Sequence, residues 1–314
     1  MTKNQFWNII EKNKRIIDNM KKLAWLFVLM SGILWGTISI YIKKLNQYNL
    51  DAMDIVAIRA VFTAVILFVG LLFYDKKMLK IRVKDIWCFV GTGILSIVFF
   101  NYCYFSAITM IPVSVAAILL YTAPAFVLVM SAVLFSEKIN LYKIVIIFIA
   151  ICGCGLASGI ASGISSVNTT GILFGLGAGF GYALYSIFSR YALNRGYKSM
   201  TITFYTFLFA SIASVPLVGT TGVENIVSIC VSDNFMLLFY IVFALMSTVL
   251  PYILYTTGLI YMDNSRASII ASIEPVTATI VGFVVFREMI SPAQIFGALL
   301  VIVAMAAAGY KSEK

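Results

Sequence analysis

Histidine is missing from all 314 residues, which removes imidazole-based acid–base chemistry and imidazole metal ligation. Cysteine does not fill the gap. The five present, Cys88, Cys103, Cys152, Cys154 and Cys230, are odd in number and lie mostly within apolar runs. Cys152 and Cys154 have no metal-site spacing, so all five read as small packing residues rather than a disulfide framework or a metal cluster. A phosphate-binding glycine loop is also missing, so neither an enzyme nor a bound cofactor or metal is expected. Charge is scarce too, at 11% of residues, and almost nothing is left over to build a soluble domain.

What fills the chain instead is apolar sequence, 61% of it, in long runs. At about 20 residues per crossing, ten windows fit, at 23–42, 54–74, 86–108, 112–135, 141–159, 171–193, 200–219, 234–259, 264–286 and 292–310. The fold class is therefore an all-α polytopic membrane protein with ten transmembrane helices. The net charge of +10 does not point to nucleic acid, because the basic residues sit in short loops between windows. With the N-terminus in the cytoplasm, 19 of the 23 Lys and Arg residues fall on the inside, a strong positive-inside bias that puts both termini there. Residues 1–22 carry Phe6, Ile9, Ile10, Ile16, Ile17 and Met20 among their lysines. They read as a basic amphipathic segment at the membrane surface or as a disordered basic tail. They fit a signal peptide poorly, since the charged lead is long and no small-residue cleavage site follows.

Against this background a few polar side chains stand out. Glu274, followed by Pro275, lies near the middle of window 264–286. A charge at that depth costs on the order of 3 kcal/mol and is usually kept because it faces a partner, water or a substrate. The alternative is a kinked helix with a passively buried acid. Arg59 lies roughly 7 Å below the outer surface, and Glu274 roughly 15 Å from the inner one, at the helical rise. The heights allow an Arg59–Glu274 pair, while snorkelling of Arg59 to the outer interface is equally open. Trp35, Asn101, Tyr104, Tyr121, Tyr182 and Tyr255 are candidate cavity walls, each of which could equally be helix packing.

The chain also repeats itself. A shift of 151 residues lays 106–137 over 257–288, with Pro124 on Pro275 and Glu137 on Glu288. A four-residue gap upstream lays Trp35-Gly36 over Tyr182-Ala183 and Lys43 over Arg190. The two units are 23–160 and 171–310, joined by a charge-free Ser/Gly/Thr linker. Each has five spans, an odd number, so the second is inserted upside down relative to the first. Such inverted repeats can exchange conformations about a site held near the midplane. Where the second copy has Glu274 the first has Ala123, so the shared fold does not demand an acid there. Glu137 and Glu288, present in both copies at span ends, read as helix-end or gate contacts.

Trp35-Gly36, Arg59, the Ala-Pro run ending in Ser136-Glu137, and Glu274-Pro275 ending in Arg287-Glu288 resemble the EamA-type proteins of the drug/metabolite transporter superfamily. The resemblance covers essentially everything after residue 22. It implies ten helices around a central cavity and export of small metabolites. The chain is expected in the cytoplasmic membrane as a monomer or homodimer with no nucleic acid partner. The expected activity is secondary transport of amino acids or related small polar metabolites by alternating access, with Glu274 binding a substrate amine or carrying a coupling proton. Efflux of lipophilic cations is the second transport reading, since a lone carboxylate among aromatics suits it. A non-transporting membrane protein is the third.

Overall fold

The computed structural model describes residues 23–159 and 168–310. The amphipathic segment expected over 1–22 and most of the linker lie outside them. Among the described residues the chain is helical without strands. Nine helices among the described residues are long and apolar enough to cross a membrane: α1 (Leu23–Tyr48), α2 (Ala52–Tyr74), α3 (Val83–Ile108), α4 (Val113–Phe135), α6 (Thr169–Asn194), α7 (Ser199–Val231), α8 (Phe235–Tyr261), α9 (Asn264–Phe286) and α10 (Pro292–Gly309). The tenth, α5 (Leu141–Ala157), is a 17-residue apolar helix, about 25 Å long at the helical rise. Large apolar side chains such as Phe73, Val133, Phe148 and Val284 are left outward, the surface that a bilayer rather than water requires.

The helix predicted over 200–219 continues beyond its window. Gly219 adopts φ 74° and ψ 176°, a conformation that lets the chain kink, and a second helical piece follows. Residues 223–233, which fall between the predicted windows 200–219 and 234–259 and would be a weakly acidic loop there, belong mostly to this piece. It is amphipathic: Ile226, Ile229 and Cys230 pack on Leu45, Leu50 and Tyr240, while Glu224 stays on the polar side.

The inverted repeat is written in the backbone as well as the side chains. Helices α4 and α9 are each broken at the matched place, into Val113–Leu120 and Ala123–Phe135, and into Asn264–Ala271 and Glu274–Phe286. Helices α3 and α8 each contain a π-helical turn, Gly91–Val98 and Leu245–Val249, which overlap under the 151-residue shift. The repeats interleave. Helix α2 packs on α7, α3 on α6, and α5 on α10, while Gly258 of α8 lies against Ala24 and Val28 of α1.

Small residues permit these approaches, as is usual where lipid supplies no hydrophobic drive between helices. At the α5–α10 crossing, a Cβ on Gly297 would stand 2.6 Å from the Gly153 carbonyl oxygen, and one on Gly153 would stand 2.9 Å from that of Gly297. Backbone cannot swing aside as a side chain can. Gly297→Leu is therefore expected to destabilise the fold by about 1–3 kcal/mol or more, read as a lower melting temperature in detergent. An unchanged melting temperature would mean the crossing is looser than described.

Candidate functional site

The breaks in α4 and α9 place polar backbone at the centre of the bundle. Pro124 and Pro275 each stand second in the half-helix that follows the break, where a missing N–H leaves no helical hydrogen bond unmade. Glu274 is the first residue of its half-helix. There its carboxylate meets the positive end of the helix dipole, which lowers the cost of holding a charge at that depth. The proline is thus a helix start rather than a kink inside a continuous helix.

Helix α1 closes against this break through two glycines. A Cβ on Gly32 would stand 2.8 Å from the Ala271 carbonyl oxygen, and one on Gly36 would stand 2.7 Å from the Glu274 carbonyl oxygen. Gly179 of α6 does the same for the break in α4, where an added Cβ would stand 2.6 Å from the Leu119 oxygen.

Glu274 Oε2 accepts a hydrogen bond from the Tyr182 hydroxyl at 3.3 Å, and Tyr104 and Tyr121 lie within its electrostatic range. Glu274 as a whole is half-buried. Tyr182 in turn stands edge-on to Trp35, with ring centroids 6.2 Å apart, and Trp35 packs against Tyr252 at 5.1 Å and Tyr255 at 5.5 Å. Tyr255 and Ser186 share a hydrogen bond of 2.7 Å. These rings border a narrow cleft of about 10 Å³, room for about one water molecule. Two groups in that cleft, the indole Nε1 of Trp35 and the hydroxyl of Ser96, are buried with no hydrogen-bond partner among the described residues. Buried polar groups are rarely left so. Anything larger than water needs more room than this cleft has, and the half-buried Glu274 lies beside it through Tyr182.

Arg59 and Asn101 are placed differently from the rest. Arg59 does not pair with Glu274: its Nε donates to Thr248 Oγ1 at 3.2 Å and its second amino group to the Ser247 carbonyl at 3.3 Å. It remains in electrostatic range of the acid without contact. Asn101 donates to the carbonyl of Ile97 in its own helix at 2.7 Å. Both side chains thus attach to carbonyls of the π-helical turns, where the regular hydrogen-bond ladder is interrupted. The residues that sequence reasoning passed over as cavity walls are Ser96 and Tyr252. The signal for Tyr252 was present, since the 151-residue shift that lays Tyr104 over Tyr255 also lays Asn101 over Tyr252.

One end of the bundle is sealed. At the end rich in Lys and Arg, which we call the basic end, Glu137 accepts hydrogen bonds from the Asn264 N–H at 3.0 Å and the Ser265 hydroxyl at 2.7 Å. Arg190 donates to Asn264 Oδ1 at 2.9 Å and to the Met262 carbonyl. The first half-helix of α9 packs on the second half-helix of α4 there. Beneath this seal is an open depression of about 380 Å³ that Glu137, Arg190 and Asp263 help to line. At the far end the matching pieces, Val113–Leu120 and Glu274–Phe286, make no comparable packing among the described residues.

Two broken helices, a half-buried acid at one of the breaks and a side-chain seal at the basic end meet in this bundle. A model of the EamA-like transporter family matches residues 22–159 and again residues 169–309. The chain belongs to the EamA-like transporter family. Proteins similar to it include an uncharacterized transporter of Archaeoglobus fulgidus, 27% identical over 282 residues, which cover 88% of this chain and 92% of that protein. An uncharacterized transporter of Clostridium kluyveri is 27% identical over 292 residues, 90% of this chain and 92% of its own. A crystal structure of a protein with 15% sequence identity superposes with a TM-score of 0.74, covering 91% of this chain and 96% of that one. It shows the same fold. Within the EamA-like family this chain is a multi-pass membrane transporter, as its paired spans already suggested.

Proposed function

We propose that the protein is a secondary transporter of the cytoplasmic membrane that exports amino acids or related small polar metabolites by alternating access. In this reading the basic end faces the cytoplasm, together with both termini, and the substrate site lies at the helix break around Glu274. One observation carries it. Glu274 starts a half-helix at the break in α9, is half-buried, and among the described residues has a single hydroxyl, that of Tyr182, as the hydrogen-bond donor to its carboxylate. A substrate ammonium supplies the missing charge-assisted donors. The unpartnered N–H of Trp35 and hydroxyl of Ser96, across the Tyr182 ring, suit the acceptor end of a small zwitterion. A proton is the alternative occupant of Glu274 and the candidate coupling ion.

The tyrosines around the acid favour a second reading, efflux of lipophilic cations, because ring faces attract cations without demanding a carboxylate on the substrate. Flux in proteoliposomes separates the two. Labelled amino acids are expected to move and to be competed by one another, with quaternary amines inert. Transport of quaternary amines alone would reverse the assignment, and no flux of either class would remove the transport of these substrates altogether.

A further inference from the structure

Glu137 and Glu288 are built into the same turn. Each follows a residue in the left-handed region, Ser136 at φ 56° and ψ 30°, and Arg287 at φ 57° and ψ 32°. Each backbone N–H then closes on the carbonyl six residues earlier, Glu137 on Ser131 at 3.2 Å and Glu288 on Gly282 at 3.1 Å. Their side chains have opposite fates. That of Glu137 is 10% exposed and holds the first two residues of α9 through the Asn264 N–H and the Ser265 hydroxyl. That of Glu288 is 64% exposed. It folds back over Gly282, where an added Cβ would stand 2.7 Å from its Oε2, and rests 3.7 Å from Lys43 Nζ.

The 151-residue shift names what Glu288 lacks. Asn264 and Ser265 fall on Val113 and Ser114, the first two residues of α4, and with the four-residue gap upstream Arg190 falls on Lys43. Val113 is 59% exposed, and the Ser114 hydroxyl forms no hydrogen bond among the described residues. The acceptor and the two donors are all present at the far end, at corresponding positions of the repeat, and the acceptor is engaged with neither donor; it pairs with Lys43 instead.

We propose that Glu288 is the latch of the far gate: in the state closed at that face, its carboxylate takes the Val113 N–H and the Ser114 hydroxyl, while Glu137 releases Asn264 and Ser265. This rests on the alternating-access reading above and adds to it the groups that hold each end shut. Glu137 and Glu288 are positioning residues that touch no substrate. The described structure is the Glu137-latched state, and the transport cycle exchanges one latch for the other.

The test is a distance across the far gate, measured by double electron–electron resonance between spin labels at Met110→Cys and Met289→Cys in lipid nanodiscs. Cys152 and Cys230 are replaced by serine in the labelled protein. Two distance populations are expected. Glu288→Gln should deplete the short one by about fivefold, the effect of weakening one charged hydrogen-bonded contact, and Glu137→Gln should enrich it by about as much. Ser114→Ala should act in the direction of Glu288→Gln. The latch is overturned if Glu288→Gln leaves two populations in their original ratio, or shifts them the same way as Glu137→Gln. If no short population exists in any variant, alternating access falls and the latch falls with it.

Discussion

Glu274→Gln is expected to lower transport by about a hundredfold while leaving the protein folded. Glutamine keeps the shape of the side chain and still accepts from the Tyr182 hydroxyl. What it loses is the charge, and a hydrogen bond to a charged group contributes about 1.5–3 kcal/mol, or roughly ten- to a hundredfold in affinity. The upper end applies because the site lies at bilayer depth, where water screens poorly. Stability should hold or rise, since a charge in the membrane is removed without opening a cavity. The repeat supports this, because Ala123 occupies the matching place in the break of α4 with no acid. The measurement is labelled-substrate counterflow beside a melting curve. Full activity with an unchanged response to a pH gradient would remove Glu274 from both substrate binding and proton coupling.

Gly36→Val should have an effect of similar size by a different route. The added side chain meets the Glu274 carbonyl oxygen and the Thr277 side chain, both closer than 3.0 Å. Overpacking of this kind costs about 1–3 kcal/mol. The displacement would fall on the residue that carries the acid. Misplacing a binding group by about 1 Å can cost about a hundredfold in function. Transport and melting temperature are therefore expected to fall together, whereas Glu274→Gln lowers transport alone. A Gly36→Val protein with normal flux would mean that α1 does not position the break.

The spans were legible because a bilayer tolerates no unsatisfied backbone, so long apolar runs have one structural solution. The broken helices were half legible. The pairing of Pro124 with Pro275 showed that the proline belonged to the fold, but not that Glu274 begins a new helix rather than riding on a bent one. Arg59 shows why the rest was hidden. Counting residues along a helix gives depth and says nothing of azimuth, so two charges at similar height need not face each other. The π-helical turns that receive Arg59 and Asn101 have no sequence signature of their own. The helical piece after Gly219 was masked by Glu224 and Asp233, because an amphipathic segment packed on Tyr240 and a polar loop share a composition over so short a stretch.

The interleaving of the repeats bears on how the protein is made. The hydrogen-bond partners of Arg59, Thr248 and the Ser247 carbonyl, lie in α8, and the wall against which α2 packs is α7. When α2 leaves the translocation machinery, neither exists. Its arginine must then sit in lipid or in the channel mouth with only 22 other helix residues to hold the segment in place, against an insertion cost of about 2.5–3.5 kcal/mol. The first five helices are in this sense an incomplete product. The late arrival of α7 and α8 turns an exposed charge into an internal tether between the two halves.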